Sequence, residues 1–118
     1  MKKDSFLVRL LINALAFLIV SKVYSGMSVS GFWTAVVAAL IWGIVNALLR
    51  PVLLLLTLPI NILTLGLFTL VVNGLILVIT AQLYSGLVIS GLFAGIFAAI
   101  LLSAVNVILT MLFVENKE

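Results

Sequence analysis

The sequence predicts an all-α integral membrane protein with four transmembrane helices. They form two parallel helical-hairpin repeats with a short interfacial or re-entrant segment between them. Three observations lead there. Of 118 residues, 66% are hydrophobic and 8% charged, and the mean hydropathy is +1.52. Soluble domains carry about a quarter charged residues, so this chain lacks the polar atoms to cover a surface in water. The ionisable residues are Lys2, Lys3, Asp4, Arg9, Lys22, Arg50, Glu115, Lys117 and Glu118. Nearly all lie at the termini or at the edges of apolar runs, where long basic side chains reach headgroups. Finally, Tyr24-Ser25-Gly26-Met27-Ser28-Val29-Ser30-Gly31 returns sixty positions later as Tyr84-Ser85-Gly86-Leu87-Val88-Ile89-Ser90-Gly91. Polar and small residues are kept, and apolar ones are exchanged for apolar ones.

The whole chain, 1–118, reads as one membrane domain. Repeat 1 covers about 6–50, an apolar connection bracketed by Pro51 and Pro59 covers 51–61, and repeat 2 covers about 62–114. A spanning helix needs about 20 mostly apolar residues. The first runs from about Phe6 to Val23. The start, Met1-Lys2-Lys3 before an apolar run, resembles a signal peptide, but Lys22 interrupts the cleavage region and the run has an internal counterpart. We therefore expect a retained helix. The first Ser/Gly turn follows, with Phe32 and Trp33 at an interface. The second helix runs from about Phe32 to Leu49 and is expected to break or kink at Arg50-Pro51, because proline removes a donor and disfavours helix before it. The segment 51–61 is too short to span and reads as a short interfacial or re-entrant helix, in preference to a kinked start of the third helix. The third helix covers about Ile62 to Leu83, the fourth about Gly91 to Val114.

Lys2, Lys3, Arg9, Arg50 and Lys117 fall on one side if every run crosses once. The positive-inside rule then puts both termini in the cytoplasm and both Tyr-Ser-Gly turns outside. Two spans per repeat make the repeats parallel, related by a pseudo-twofold axis along the membrane normal.

Four asparagines pair at the repeat offset, Asn13 with Asn73 and Asn46 with Asn106. Asn13 and Asn73 lie eleven positions before the turn tyrosines, or about 16 Å below the outer surface. An amide in hydrocarbon needs a partner, so the four are expected to face inward and bond across helices. They read as interhelical glue or as the polar lining of a pore or substrate path. Small residues form a packing face on the second helix, Gly31, Ala35, Ala38, Ala39 and Gly43, and on the fourth, Gly91, Gly95, Ala98, Ala99 and Ser103. Spacings of three and four put each set on one side, for packing within the chain or for a homo-oligomer. Arg9 and Arg50 are the lipid-facing basic residues, snorkelling or contacting anionic lipid phosphates. Their repeat equivalents are Thr69 and Thr110, so the two halves differ at this end.

Several classes of chemistry are excluded. The chain has no Cys and no His, which removes disulfides, thiol chemistry and the usual transition-metal ligands; no metal or cofactor is expected. Asp4, Glu115 and Glu118 sit at the termini, so no paired-carboxylate or intramembrane proton-relay site exists. The turn serines have no base to activate them. No catalytic residue and no enzyme activity are expected. No basic cluster suits nucleic acid.

The chain resembles the four-span mycobacteriophage-type holins of superfamily IV and their bacterial chromosomal relatives. The matching residues are Arg9-Leu10-Leu11-Ile12-Asn13-Ala14, Gly31-Phe32-Trp33 and Asn46-Ala47-Leu48-Leu49-Arg50-Pro51-Val52-Leu53. The match continues through Leu56-Thr57-Leu58-Pro59, Leu63-Thr64-Leu65-Gly66-Leu67-Phe68 and Val72-Asn73, covering about Arg9 to Leu112. The resemblance implies a bacterial cytoplasmic-membrane protein and oligomeric lesions that release lytic enzymes or collapse the membrane potential. It also implies chromosomal relatives linked to envelope stress. Two functions follow as expectations: a holin-like protein that oligomerises and permeabilises the bilayer, or an accessory protein that binds a partner or lipid without a pore.

Overall fold

Lipid offers the backbone no hydrogen-bond partners, so apolar runs of this length must satisfy their own N–H and C=O groups as helices. The computed structural model describes residues 6–113; the terminal charges Lys2, Lys3, Asp4, Glu115, Lys117 and Glu118 and the expected end of the last helix at Val114 lie outside them. The described chain is mostly helical. Helix α1 spans Phe6–Val23, α2 Phe32–Leu56, α3 Leu58–Leu63, α4 Phe68–Leu83 and α5 Leu92–Phe113. Three of these, α1, α2 and α5, are long and apolar enough to cross a membrane, and α4 is a shorter apolar helix. Helix α1 packs on α2 and α5, and α4 packs on α5 and α2, closing a ring of four.

The fold is not purely helical. Strands β1 (Met27–Val29) and β2 (Leu87–Ile89) pair antiparallel. Tyr24 and Tyr84 end their helices, and their carbonyls accept from the Met27 and Leu87 amides to form tight turns. The register pairs Met27 with Ile89, Ser28 with Val88 and Val29 with Leu87. Met27 and Leu87 point into the bundle, each about 1% exposed, while Ser28 and Val88 face out. The ribbon therefore closes one end of the helix ring. Gly91, at φ 145°, occupies a backbone region that favours glycine and turns the chain from β2 into α5.

The core is built from the same positions in both halves of the chain. On α1 the buried residues are Ile12, Ala14, Ala16, Phe17 and Val20; on α4 they are Val72, Gly74, Ile76, Leu77 and Thr80, each sixty positions on. Ala35, Ala38 and Ala39 of α2 are buried, as are Gly95, Ala98 and Ala99 of α5. Helices α4 and α5 approach closely: a Cβ added at Gly74 would lie 2.6 Å from the Ile96 Cα, and one at Gly95 would lie 3.0 Å from the Gly74 carbonyl oxygen.

Two expected boundaries are corrected. Helix α2 does not break at Arg50-Pro51 but continues through Pro51 to Leu56. One missing donor is tolerable in a helix whose neighbours hold it in place, and Pro51 itself is exposed, with its ring away from the core. The third long helix begins at Phe68, not near Ile62, because residues 58–63 form the separate helix α3. Pro59 occupies its first turn, where a missing N–H costs nothing. Its other end is a Schellman motif: the Gly66 amide donates to the Asn61 carbonyl at 2.7 Å and the Leu65 amide to Ile62 at 3.2 Å. That motif needs a left-handed residue, and Leu65 supplies it at φ 59°, followed by Gly66 at φ 88°.

The connection is apolar outside and self-satisfied inside. Leu63 and Leu65 are 83% and 92% exposed. Its polar side chains bond one another: Asn61 donates to Thr57 Oγ1 at 3.0 Å, and Thr69 donates to Asn61 Oδ1 at 3.0 Å. Thr57 and Thr64 donate back to the carbonyls of Leu53 and Ile60.

Candidate functional site

At the end of the bundle opposite the ribbon, the seam where α1, α2 and α5 meet is open. A cavity of about 530 Å³ lies there. Arg9 and Asn13 of α1 line it together with Asn46 and Arg50 of α2 and Ser103, Asn106 and Thr110 of α5. The helical spacing explains the grouping. Arg9 and Asn13, Asn46 and Arg50, and Asn106 and Thr110 are each four apart, so each pair stacks on one face. The inner wall is apolar: Trp42 lines the cavity, and the Phe17 ring meets it edge-on, with centroids 5.5 Å apart. Beyond Phe17 the interior is packed, with Val20, Met27, Leu77 and Leu87 all 1% exposed or less.

A second cavity of about 560 Å³ lies in the groove between α1 and α2. It shares Arg9, Asn13, Gly43, Asn46 and Arg50 with the first and adds apolar walls from Phe6, Leu10, Leu40 and Ile44. Gly43 stands at the junction, and a Cβ added there would meet nothing within 4 Å.

The four asparagines are not equivalent. Asn106 donates to the Asn13 side-chain carbonyl across the α1–α5 seam. Thr110 is 3.5 Å from Asn106 Oδ1, a long contact. Asn46 stays on its own helix, donating to the Trp42 carbonyl at 2.9 Å and accepting from Arg50 Nε at 3.1 Å. Asn73 is not drawn into the cavity, and its buried Oδ1 has no hydrogen-bond partner. The equivalent seam between α2 and α4 is filled, since Val45, Val72 and Ile76 are buried there with Leu49 and Phe68 packed against them.

The small-residue faces divide similarly. Ala35, Ala39, Gly95 and Ala99 are buried within the chain, whereas Gly31 is half-buried and Gly43, Gly91 and Ser103 are exposed. Arg9 is exposed and Arg50 half-buried, with no carboxylate among the described residues. Trp42, Ser103 and Thr110 are cavity residues whose polar or aromatic role the sequence did not single out. The Asn106–Thr110 spacing, identical to Asn46–Arg50, was the available signal for the last.

Apolar helices of spanning length around a one-ended polar cleft define a multi-pass integral membrane protein. The chain belongs to the family described as mycobacterial 4 TMS phage holin, superfamily IV, whose model matches residues 4–108. It is 33% identical over 103 residues to the uncharacterized membrane protein YvlD of Bacillus subtilis (strain 168), covering 86% of this chain and 87% of that one. It is 37% identical over 103 residues to the uncharacterized protein SCO3922 of Streptomyces coelicolor, covering 82% of each. No solved structure matches.

Proposed function

We propose that this chain is a holin-type protein of the bacterial cytoplasmic membrane that crosses it four times, with both termini and the Arg9/Arg50 cleft on the cytoplasmic side. In this reading it alters permeability by assembling copies, and no single bundle conducts. The sealed ribbon end carries the second point. Phe17, Val20, Met27, Leu77 and Leu87 fill that half, so the cleft stops at Trp42 and water has no continuous path through one chain. A lesion would then form between copies, on surfaces other than Ala35, Ala39, Gly95 and Ala99, which are already buried.

Two architectural features belong to the same reading. The hairpins are parallel repeats about a pseudo-twofold axis along the membrane normal. In support, positions sixty apart are buried alike. The antiparallel ribbon also has its local twofold perpendicular to its plane, with Ser28 and Val88, sixty apart, at the centre. The connection around α3 is an interfacial or re-entrant segment. It combines exposed leucines with internally bonded Thr57, Asn61, Thr64 and Thr69, the pattern required where lipid replaces water.

The test is membrane potential and dye leakage in bacteria on controlled expression, against a chain with Asn13, Asn46, Asn73 and Asn106 all changed to Leu at matched membrane levels. Abrupt depolarisation by the native chain alone supports the permeability reading. Equal leakage from both chains ascribes the effect to overfilling of the membrane, and an intact potential removes the permeability reading. An accessory role without a pore then stands, favoured by Arg9 and Arg50 being the only charged residues, among the described ones, that line the cleft.

A further inference from the structure

We propose that the α1–α2–α5 cleft is a binding site for one anionic phospholipid, its phosphodiester held between Arg9 and Arg50 and an acyl chain laid in the groove between α1 and α2. The site requires membrane insertion but not assembly or permeabilisation.

Three independent features converge. Arg9 and Arg50 line both cavities, and no carboxylate among the described residues balances them. Arg50 is positioned, since Asn46 Oδ1 accepts from its Nε at 3.1 Å. That bond leaves the two terminal nitrogens of the guanidinium for a phosphate, the anion its planar fork fits best. The two cavities differ in chemistry but share a junction. Both are lined by Asn13 and Asn46; one adds Ser103, Asn106 and Thr110, the other the apolar walls Leu10, Leu40 and Ile44. A ligand filling both needs an anionic polar head and a hydrocarbon tail.

Gly43 keeps that junction clear. Nothing stands within 4 Å of the position its Cβ would take, so the gap is not needed for close helix packing, unlike that at Gly74. Stoichiometry follows from the asymmetry of the bundle. The corresponding α2–α4 seam carries Thr69 in place of Arg9 and is filled by Val45, Val72 and Ile76, so among the described residues the second repeat does not duplicate the site, and one lipid per chain is expected.

The experiment is native mass spectrometry of the full chain released from detergent micelles containing equal phosphatidylglycerol and phosphatidylcholine. One phosphatidylglycerol per chain should be retained in preference to phosphatidylcholine. Arg9→Gln with Arg50→Gln should cut that retention about thirty-fold, at about 1 kcal/mol per arginine. Gly43→Leu should cut it as well although both guanidiniums remain, and Lys22→Gln, near the ribbon end, should leave it unchanged. The Gly43 arm decides the matter if the arginine pair fails to fold, because that position faces open space. Equal retention of both lipids, or a Lys22→Gln loss matching the arginine pair, overturns the proposal. Displacement of the lipid by millimolar glycerol 3-phosphate overturns it too, by making the site one for a soluble anion.

Discussion

Asn106 on α5 donates its side-chain amide to Asn13 on α1, the one side-chain bond among the described residues that joins two of the long helices. It spans 93 positions of sequence, and both residues line the cleft with Trp42. Both residues are half-buried, so each relies on the other where water is scarce.

A double-mutant cycle on this pair should give a coupling energy of about 0.5–1.5 kcal/mol, the range of interhelical bonds in membrane bundles. The measurement is reversible unfolding in mixed micelles of Asn13→Leu, Asn106→Leu and the double variant. Additive single effects would mean the bond contributes nothing.

Asn73 should behave in the opposite way. Its Oδ1 is buried without a partner, so the native residue already bears a desolvation cost that leucine would not. Asn73→Leu is expected to be neutral or to stabilise the bundle by about 1 kcal/mol. A loss comparable to that of Asn13→Leu would reveal a partner for Asn73 in the membrane.

Glycines on the two sides of the bundle should diverge. Gly74→Ala drives a methyl against the Ile96 backbone, 2.6 Å from its Cα and 2.7 Å from its nitrogen, and backbone cannot swing aside. A loss of about 1–3 kcal/mol is expected from overpacking. Gly43→Ala meets open space and should gain up to about 1 kcal/mol of helix propensity. Thermal unfolding of the two variants side by side gives the contrast.

The ribbon can be tested by chemistry the native chain lacks, since it has no cysteine. Ser28→Cys with Val88→Cys places two thiols on directly paired residues, within the Cα separation a disulfide accepts. Oxidation should give an intramolecular bond, seen as a gel-mobility shift without reductant. In intact cells the single Ser28→Cys variant should react with a membrane-impermeant maleimide, and Leu63→Cys should not. The reverse pattern would invert the orientation.

The sequence made the long helices legible because lipid simplifies the code. Helix α1 runs from Phe6 to Val23, as its apolar run suggests, and α5 starts one residue after the expected Gly91. The ribbon was hidden because three-residue strands pair with a segment sixty positions away, and no local period announces that. Its trace was the apolar–outward–apolar order of Met27-Ser28-Val29 and Leu87-Val88-Ile89. Pro51 pointed to a break or kink, and α2 runs through it unbroken because packed neighbours in a membrane tolerate one lost donor. The helix start at Phe68 was marked by Gly66, whose neighbour Leu65 takes the left-handed position glycine normally fills. For the site, spacing puts Arg9 with Asn13 and Asn46 with Arg50 on shared helix faces, and the structure sets these four with Asn106 around one cavity. Internal symmetry then overreached: it suggested four equivalent amides, and the filled α2–α4 seam separates Asn73 from the rest.

The ribbon also fixes an order of assembly. Each strand sits between two helices, and β1 has no partner until β2 has been made and brought alongside. Pairing therefore cannot precede synthesis of residues 87–89, so it joins the two halves late. The link through α3 then serves as a tether that raises local concentration. Chains cut within it and produced as two fragments should still find one another in the bilayer.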